Sequence, residues 1–324
     1  MARHAHVSLL LAALAAPTPA ALAQEITLRG VSAFPDATLY SKKFEAYVKE
    51  VNARGKGILQ IRYLGGAPRV MPTFDVSKNL RDGIVDIVNN TSAFYLNVLP
   101  EADAFKLSEV PIWELRKTGG WDFINKIHNE KVNAYYLARV HQYDEFHIYL
   151  NKEIKTPDFA GLKIRVSPTY RAMVEALGGT AVASTPSDIY TMLERGTVDG
   201  YGWPAQGIFD FSWEKVTKYR IDPGFYGAEI SFLVNLDVWN KKLNEAQRKL
   251  LQDIALKFEE SARDDIALNA AERKKQEAVG IKAIRFSPAD EQKYLAVARE
   301  AAWSLILKAS PENGAKLKEI LTKK

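Results

Sequence analysis

Between Gly161 and Pro204 the chain alternates between runs that suit a buried strand and stripes that suit a helix. Leu162 to Val166 is an apolar run broken near its end by Arg165, and it predicts a strand. Pro168 opens a helix, where its missing N–H is no loss and its ring presets φ. Ala172, Met173, Ala176 and Leu177 give that helix an apolar stripe, and Gly178-Gly179 stop it. Thr185-Pro186-Ser187-Asp188 opens a second helix with the stripe Ile189, Met192 and Leu193, ended by Gly196; Val198 to Trp203 follows as a buried strand. Two strand–helix units in succession predict a parallel sheet. Ligands of open parallel sheets sit beyond the carboxyl ends of the strands. Arg165 and the Tyr201–Trp203 tip occupy such ends.

The same rhythm runs through the rest of the chain. Glu25 to Val31, Ile58 to Leu64 and Ile84 to Asn89 read as strands, separated by helices over Leu39–Val51 and Phe74–Leu80. Phe105 to Pro111 reads as an apolar connector and Trp121 to Val132 as a helix. Tyr135 to Val140 and Phe146 to Leu150 are strands between which the chain is expected to cross from one lobe to another, and Gly227 to Leu236 to carry it back. Asn244, with Gln247 completing a capping box, starts a helix expected to reach about Gly280. That is roughly 50 Å, enough to brace two lobes. Leu250, Leu251, Ile254, Phe258, Ile266 and Leu268 are its expected apolar face. Ile281 to Phe286 is a short strand, Ser287-Pro288-Ala289-Asp290 starts the next helix, and the tail ending in Lys323-Lys324 is expected as a solvated helix end.

One pattern repeats. Leu80-Arg81-Asp82-Gly83-Ile84-Val85-Asp86 and Leu193-Glu194-Arg195-Gly196-Thr197-Val198-Asp199 share Leu-x-x-Gly-x-Val-Asp. Each is a helix end, a glycine stop and a buried strand, so they mark equivalent points in two similar lobes. The tips Asn89-Asn90-Thr91 and Tyr201-Gly202-Trp203 should then face one cleft. The expected architecture is α/β and two-lobed, each lobe a mixed, mainly parallel sheet flanked by helices. The expected boundaries are 24–145 with 234–272 for lobe 1, 146–233 with 280–324 for lobe 2, and a bracing helix over about 244–279.

Composition narrows the function. Met1 to Gln24 carries a single Arg, an apolar run from Val7 and Ala21-Leu22-Ala23 as a cleavage signal. Residues 1–23 are therefore expected to be a secretory signal peptide, and the mature chain to be periplasmic. Pro17 and Pro19 weigh against a buried helix there. No later run of 18 apolar residues predicts a membrane span. The net charge of +5 is mild and its Lys and Arg are scattered, so no nucleic-acid partner is expected. The absence of cysteine excludes disulfides, a thiolate nucleophile and a Cys-type zinc site.

The chain contains no HExxH, nucleophile elbow, P-loop or dinucleotide fingerprint. An exported enzyme acting on an organic acid would have to draw its acid–base pair from Asp86, Asp199, Glu229 or tyrosines, and the first two recur as structural points. Arg165 lies between Ile164 and Val166 on a buried strand. A buried guanidinium needs an anionic partner, and its planar fork suits a carboxylate; Arg139 and Arg171 are rivals. Tyr201, Trp203 and Tyr226 belong to an aromatic group that is either core or the flat wall of a pocket. Asn89, Asn90 and Thr91 either contact a ligand or cap a turn. Phe34 and Tyr95 are candidate lids. His147 is either a satisfied strand histidine or a second, pH-sensitive ligand donor.

The run GLKIRV, the Ala-Leu-Gly-Gly helix stop, the Ser-Asp-Ile-Tyr helix and VDGxxxP resemble the solute-binding proteins of tripartite ATP-independent periplasmic (TRAP) transporters, the DctP-type family. The likeness extends over nearly all of the mature chain. It implies a type II-like periplasmic-binding-protein fold, that Arg165 clamps the carboxylate of a small organic acid, and that the partners are the TRAP membrane subunits. It also implies a second Arg where this chain has His147. Many relatives carry Asn at the position of Trp203, and others, which bind keto acids through a metal ion, carry Glu-Trp where this chain has Gly202-Trp203. The acid is missing here, so no cofactor is expected, with Glu229 the one candidate to replace it. The aromatic wall favours a monocarboxylate: a keto, hydroxy or aromatic acid. A ligand-sensing partner of a membrane receptor would use the same fold.

Overall fold

The computed structural model describes residues 25–323; the expected signal peptide lies outside them. Two sheets form. The first contains β1 (Ile26–Ser32), β2 (Leu59–Gly66), β3 (Ile87–Asn90), β4 (Ala134–His141) and β11 (Ile230–Asn235), in the order β2-β1-β3-β11-β4. The second contains β5 (Glu145–Leu150), β6 (Lys163–Val166), β7 (Thr180–Ala183), β8 (Gly200–Pro204), β9 (Tyr219–Asp222), β10 (Tyr226–Gly227) and β12 (Lys282–Arg285), in the order β12-β9-β5-β8-β6-β7 with β10 paired to β5. The strand–helix–strand units pair in parallel, β1 with β2 and β3, and β6 with β7 and β8. The strands beside the lobe crossings run antiparallel to their neighbours: β11 lies between β3 and β4, and β5 between β8 and β9. Helices flank both sheets, so the fold is the expected two-lobed α/β arrangement. Among the described residues no helix is long and apolar enough to cross a membrane.

The repeated motif occupies equivalent points down to single hydrogen bonds. The Asp86 carboxylate accepts from the Arg29 amide at 2.7 Å, its own amide donates to Arg29 O, and its carbonyl accepts from Asn235 N. The Asp199 carboxylate accepts from the Lys163 amide at 2.9 Å, its own amide donates to Lys163 O, and its carbonyl accepts from Asn151 N. Gly83 and Gly196 end their helices with φ of 71° and 66°, a conformation that a side chain disfavours. Both aspartates are therefore structural: each fixes where a central strand starts, and so where its tip ends.

The chain crosses between sheets at Gln142–Asp144, again at Ala228–Glu229, and a third time through the long helical segment itself, which joins β11 to β12. That segment is not one helix. The Asn244–Gln247 capping box forms, and the helix Glu245–Glu260 lies on β4. A 3-10 turn, Ser261–Asp264, then interrupts it before the helix Asp265–Ala278. Ile266 and Leu268, expected on its apolar face, are 62% and 47% exposed. The second helix buries polar residues instead, because it covers the crossings and serves their backbone. Asp265 accepts from the Gln142 amide, Asn269 donates to Tyr143 O, and Gln276 donates to Ala205 O.

Other expectations shift locally. Ile84 is exposed, and the third strand starts at Ile87. Phe105 to Leu107, the first part of the expected apolar connector, end a buried 3-10 helix. β9 and the helices Ile112–Thr118 and Pro311–Leu321 lacked a clear sequence signal; the last is packed through Leu317 and Leu321 rather than solvated.

His128 gives the first lobe a measurable pH dependence. Its ring is buried, with Nδ1 2.7 Å from Ile124 O and Nε2 3.2 Å from the Tyr95 hydroxyl. Burial pushes its pKa down to about 4; the Ile124 carbonyl opposes this and the Arg139 charge adds to it. The folded state therefore stays neutral where the unfolded chain protonates. This contribution is complete above about pH 6.5 and is lost as the pH falls toward 4, reaching about 3 kcal/mol. Urea unfolding at pH 7 and pH 4.5 should show a smaller acid loss for His128→Gln than for the parent chain; equal losses would contradict the assignment.

Candidate functional site

Four strand ends converge between the lobes: β1 and β3 from the first sheet, β6 and β8 from the second. With the starts of β5 and β11 they enclose a cavity of about 30 Å³. The first-lobe wall is Phe34 after β1, Tyr40 in the first turn of the helix Leu39–Arg54, and Thr91, Ala93 and Phe94 after β3. The second-lobe wall is Arg165, Ser167 and Tyr170 at and after the end of β6, with Gly202, Trp203 and Pro204 of β8. Phe146, Ala228 and Ile230, at the crossings, complete it. Ring centroids lie 4.9 Å apart for Phe34–Tyr40, 5.4 Å for Phe34–Phe94 and 6.3 Å for Tyr40–Trp203, so the walls are an aromatic frame.

Arg165 is the only formally charged residue of that lining, and it is 1% exposed. Its Nη2 donates to Ser184 O at 2.6 Å, Nε to Ser184 Oγ at 3.4 Å and Nη1 to the Tyr170 hydroxyl at 3.1 Å. Both partners are neutral, and among the described residues no carboxylate lies within ion-pair distance of it. Three of its five N–H donors are engaged, which leaves two for an anion. Tyr170 is itself fixed by donating to Gly202 O at 2.8 Å. Contacts between the lobes hold the cavity shut: Thr169 Oγ1 donates to Asp103 at 2.5 Å, Lys106 donates to Thr169 O, and Leu39 N donates to Asp210 at 2.6 Å.

Of the residues expected from sequence, Arg165, Trp203, Thr91 and Phe34 meet at the cavity. The others lie elsewhere. His147 points to the opposite face of β5 from Phe146, with Nδ1 2.9 Å from Ile221 O and 3.1 Å from Asp222. Tyr201 stacks on Tyr149 and bonds the Thr217 hydroxyl inside the second lobe. Asn89 donates to Ser32 and Tyr40 O, and Asn90 to Ser77. Tyr95 reaches His128, and Tyr226 donates to Ala298 O. The Glu229 carboxylate accepts from Ser92 N and the Tyr136 hydroxyl at 2.8 and 2.6 Å, so it is spent as a structural acceptor. Among the rivals, Arg139 is buried against Tyr136 and Phe105, and Arg171 is an exposed partner of Glu175. Tyr40, Phe94 and Tyr170 were not foreseen. Phe94 and Tyr170 follow a strand end closely, and that position was the available signal; Tyr40 comes later, in the first turn of the helix after β1. Among the described residues no cluster of three or more His, Asp or Glu is arranged to hold a metal ion.

Residues 32–306 match bacterial extracellular solute-binding protein family 7 (DctP). A monocarboxylate 2-oxoacid-binding periplasmic protein of Nostoc sp. is 28% identical over 196 residues, covering 56% of this chain and 52% of that protein. The chain thus spans about half the length of that relative. An extracytoplasmic solute receptor of Bordetella pertussis binding pyroglutamic acid superposes with a TM-score of 0.79 at 15% identity, covering 92% of this chain and 99% of that one. A TRAP periplasmic solute-binding protein of Desulfovibrio salexigens with bound orotic acid gives 0.80 at 18% identity, covering 91% and 97%.

The geometry makes Gly202 a support of Arg165. A Cβ built on Gly202 would lie 2.6 Å from the Tyr170 ring, which must then move off Arg165. Gly202→Ala is expected to destabilise the chain by about 1–3 kcal/mol. Tyr170→Ala should cost less in that background than in the parent, a coupling that a double-mutant cycle in urea reads directly; additive losses would remove the link.

Proposed function

Because the chain belongs to bacterial extracellular solute-binding protein family 7, we propose that it is an exported carrier that captures a small organic monocarboxylate between its lobes. The ligand's carboxylate lies on Arg165, and the loaded protein delivers it to the membrane subunits of a TRAP transporter from the periplasm. The observation that carries this reading is Arg165: a buried cation in an interlobe cavity, held in place by neutral groups and lacking an internal carboxylate. Family members described as binding 2-oxoacids, pyroglutamate and orotate support the carboxylate. Capture follows from shared walls. A ligand that touches both lobes only when they close shifts the equilibrium toward closure by its differential affinity.

Catalysis finds no support at this cavity. Its ionisable lining groups are Arg165, Tyr40 and Tyr170. Burial, and after it the Asp144 charge, push the Tyr40 phenol well above its ordinary pKa, so it is a poor proton shuttle. With Glu229 committed to Ser92 and Tyr136, direct binding without a metal bridge is the better reading.

Two measurements test it. Calorimetric titration with 2-oxoacids should give binding that Arg165→Ala weakens by about 2–5 kcal/mol, roughly thirtyfold to several thousandfold. Far-UV circular dichroism should be unchanged, and an undiminished affinity would remove Arg165 from the site. Titration in the presence of a chelator should return the same affinity, whereas its loss would establish a metal bridge.

A further inference from the structure

The cavity at Arg165 has room for one or two water-sized groups, enough for a carboxylate but not for the body of an organic acid. Next to it lies a groove of about 820 Å³, within the size range of small-molecule sites. Phe74, Leu96 and Pro100 line one side of the groove, and Pro168, Leu305 and Ile306 the other. Phe94 belongs to both spaces. Its ring lies 5.4 Å from Phe34 in the inner cavity and 5.4 Å from Phe74 in the groove, so it is the partition between them. Arg165 stands at the same boundary, because Ser184, which accepts from its guanidinium, lines the groove.

The groove's lining is mainly apolar, with Asn97, Ser184 and Thr185 as its uncharged polar residues. Its two acids are engaged nearby: Asp188 accepts from the amide and hydroxyl of Thr185, and Asp103 from Lys106 and Thr169. Phe74 and Leu305, 39% and 49% exposed, leave large apolar side chains at its rim. A hydroxylated body would lose more water there than these few polar groups can replace, whereas an apolar one would gain from burial.

We propose that the groove is a specificity subsite for the apolar body of the ligand, with Phe94 setting the length and bulk that can pass from Arg165 into it. The ligand class is a monocarboxylate with an alkyl or aryl body, not a polyhydroxy acid. This rests on the carboxylate reading above and goes further by naming what lies beyond the carboxylate. Each methylene buried in the groove raises affinity about fourfold.

The test is calorimetric titration of the purified chain with pyruvate, 2-oxobutyrate, 2-oxohexanoate and phenylpyruvate, with galactonate as the polyhydroxy probe of equal charge. Affinity is expected to climb along the alkyl series, with galactonate at least a hundredfold weaker than phenylpyruvate. Leu305→Asp, at an exposed position, should weaken 2-oxohexanoate and phenylpyruvate tenfold or more and leave pyruvate within twofold. Phe94→Leu should shift the preference toward bulkier bodies, and its folding is checked by thermal melting. If every acid binds with an affinity indifferent to its body, or galactonate binds best, the subsite is overturned while the carboxylate reading stands. If Arg165→Ala binds the series like the parent, the carboxylate reading fails, whatever the trend along the series. If no acid binds, both fail.

Discussion

A guanidinium buried between two lobes without an internal carboxylate is the constraint around which this molecule is arranged. Burying a charge is costly unless it is paired. Arg165 carries only partial compensation, from one carbonyl and two hydroxyls. Those groups hold its plane still and leave donors unspent. The second lobe thereby keeps a preorganised cationic socket, which on the proposed reading an anion from outside completes. The aromatic frame makes that anion matter more, since apolar walls keep the local dielectric low and strengthen any charge-assisted hydrogen bond formed there.

The socket is useful only if the lobes can open, and the crossings show how the hinge is built. Asp144 stands at the first crossing. Its carboxylate accepts from the Tyr40 hydroxyl at 2.7 Å and from Gln206 N at 3.2 Å, and its carbonyl accepts from Ala228 N at the second crossing. Burial, and after it the charge of Asp265, push the Asp144 carboxyl well above the usual carboxylate range, so a neutral acid suits the site. Tyr40 therefore has its ring on the cavity and its hydroxyl on the hinge. The polar helix Asp265–Ala278 bonds the same backbone from outside through Asp265 and Asn269. Hydrogen bonds rather than an interdigitated apolar core join the lobes there, and such contacts can tilt without opening voids.

Much of this was legible in the sequence, for identifiable reasons. The glycine stops, the capping box and the repeated Leu-x-x-Gly-x-Val-Asp gave the elements and the two lobes, since local chemistry at helix ends is written in adjacent residues. Arg165, Trp203, Thr91 and Phe34 could be placed at the cavity because strand ends point at the cleft. His147 and Tyr201 lie back from the cavity: the His147 ring is held by Ile221 O and Asp222, and Tyr201, on the same face of β8 as Trp203 but two residues further from the strand's end, packs on Tyr149 and Trp213. Asn89, Asn90 and Glu229 sit in the right region, but partners 13 to 137 residues away claim their polar atoms. Such long-range claims leave no local mark. The break at Ser261–Asp264 was hidden for a related reason: good helix formers flank it, and only the crossings beneath explain why the following turn buries polar rather than apolar groups.

The duplication also bears on how many charges the ligand carries. Register aligns the lobes residue by residue. Gly30 pairs with Ile87 as Ile164 pairs with Gly200, and Val31 with Val88 as Arg165 with Tyr201. Arg29 and Lys163 both give their amides to the repeated aspartate. Val31 is thus the first-lobe counterpart of Arg165, and it is fully buried. A scaffold with two equivalent strand ends carries a cavity-lining cation at one and, at the other, a buried branched hydrocarbon outside the cavity lining. A dicarboxylate reaching both lobes would set its second charge against a first-lobe wall of Phe34, Ala93 and Phe94, where the Thr91 hydroxyl stands alone as a side-chain donor still to offer because the Tyr40 hydroxyl is given to Asp144. A single carboxylate facing an apolar lobe meets no such penalty, so the asymmetry introduced at this one pair of positions argues for a singly charged acid.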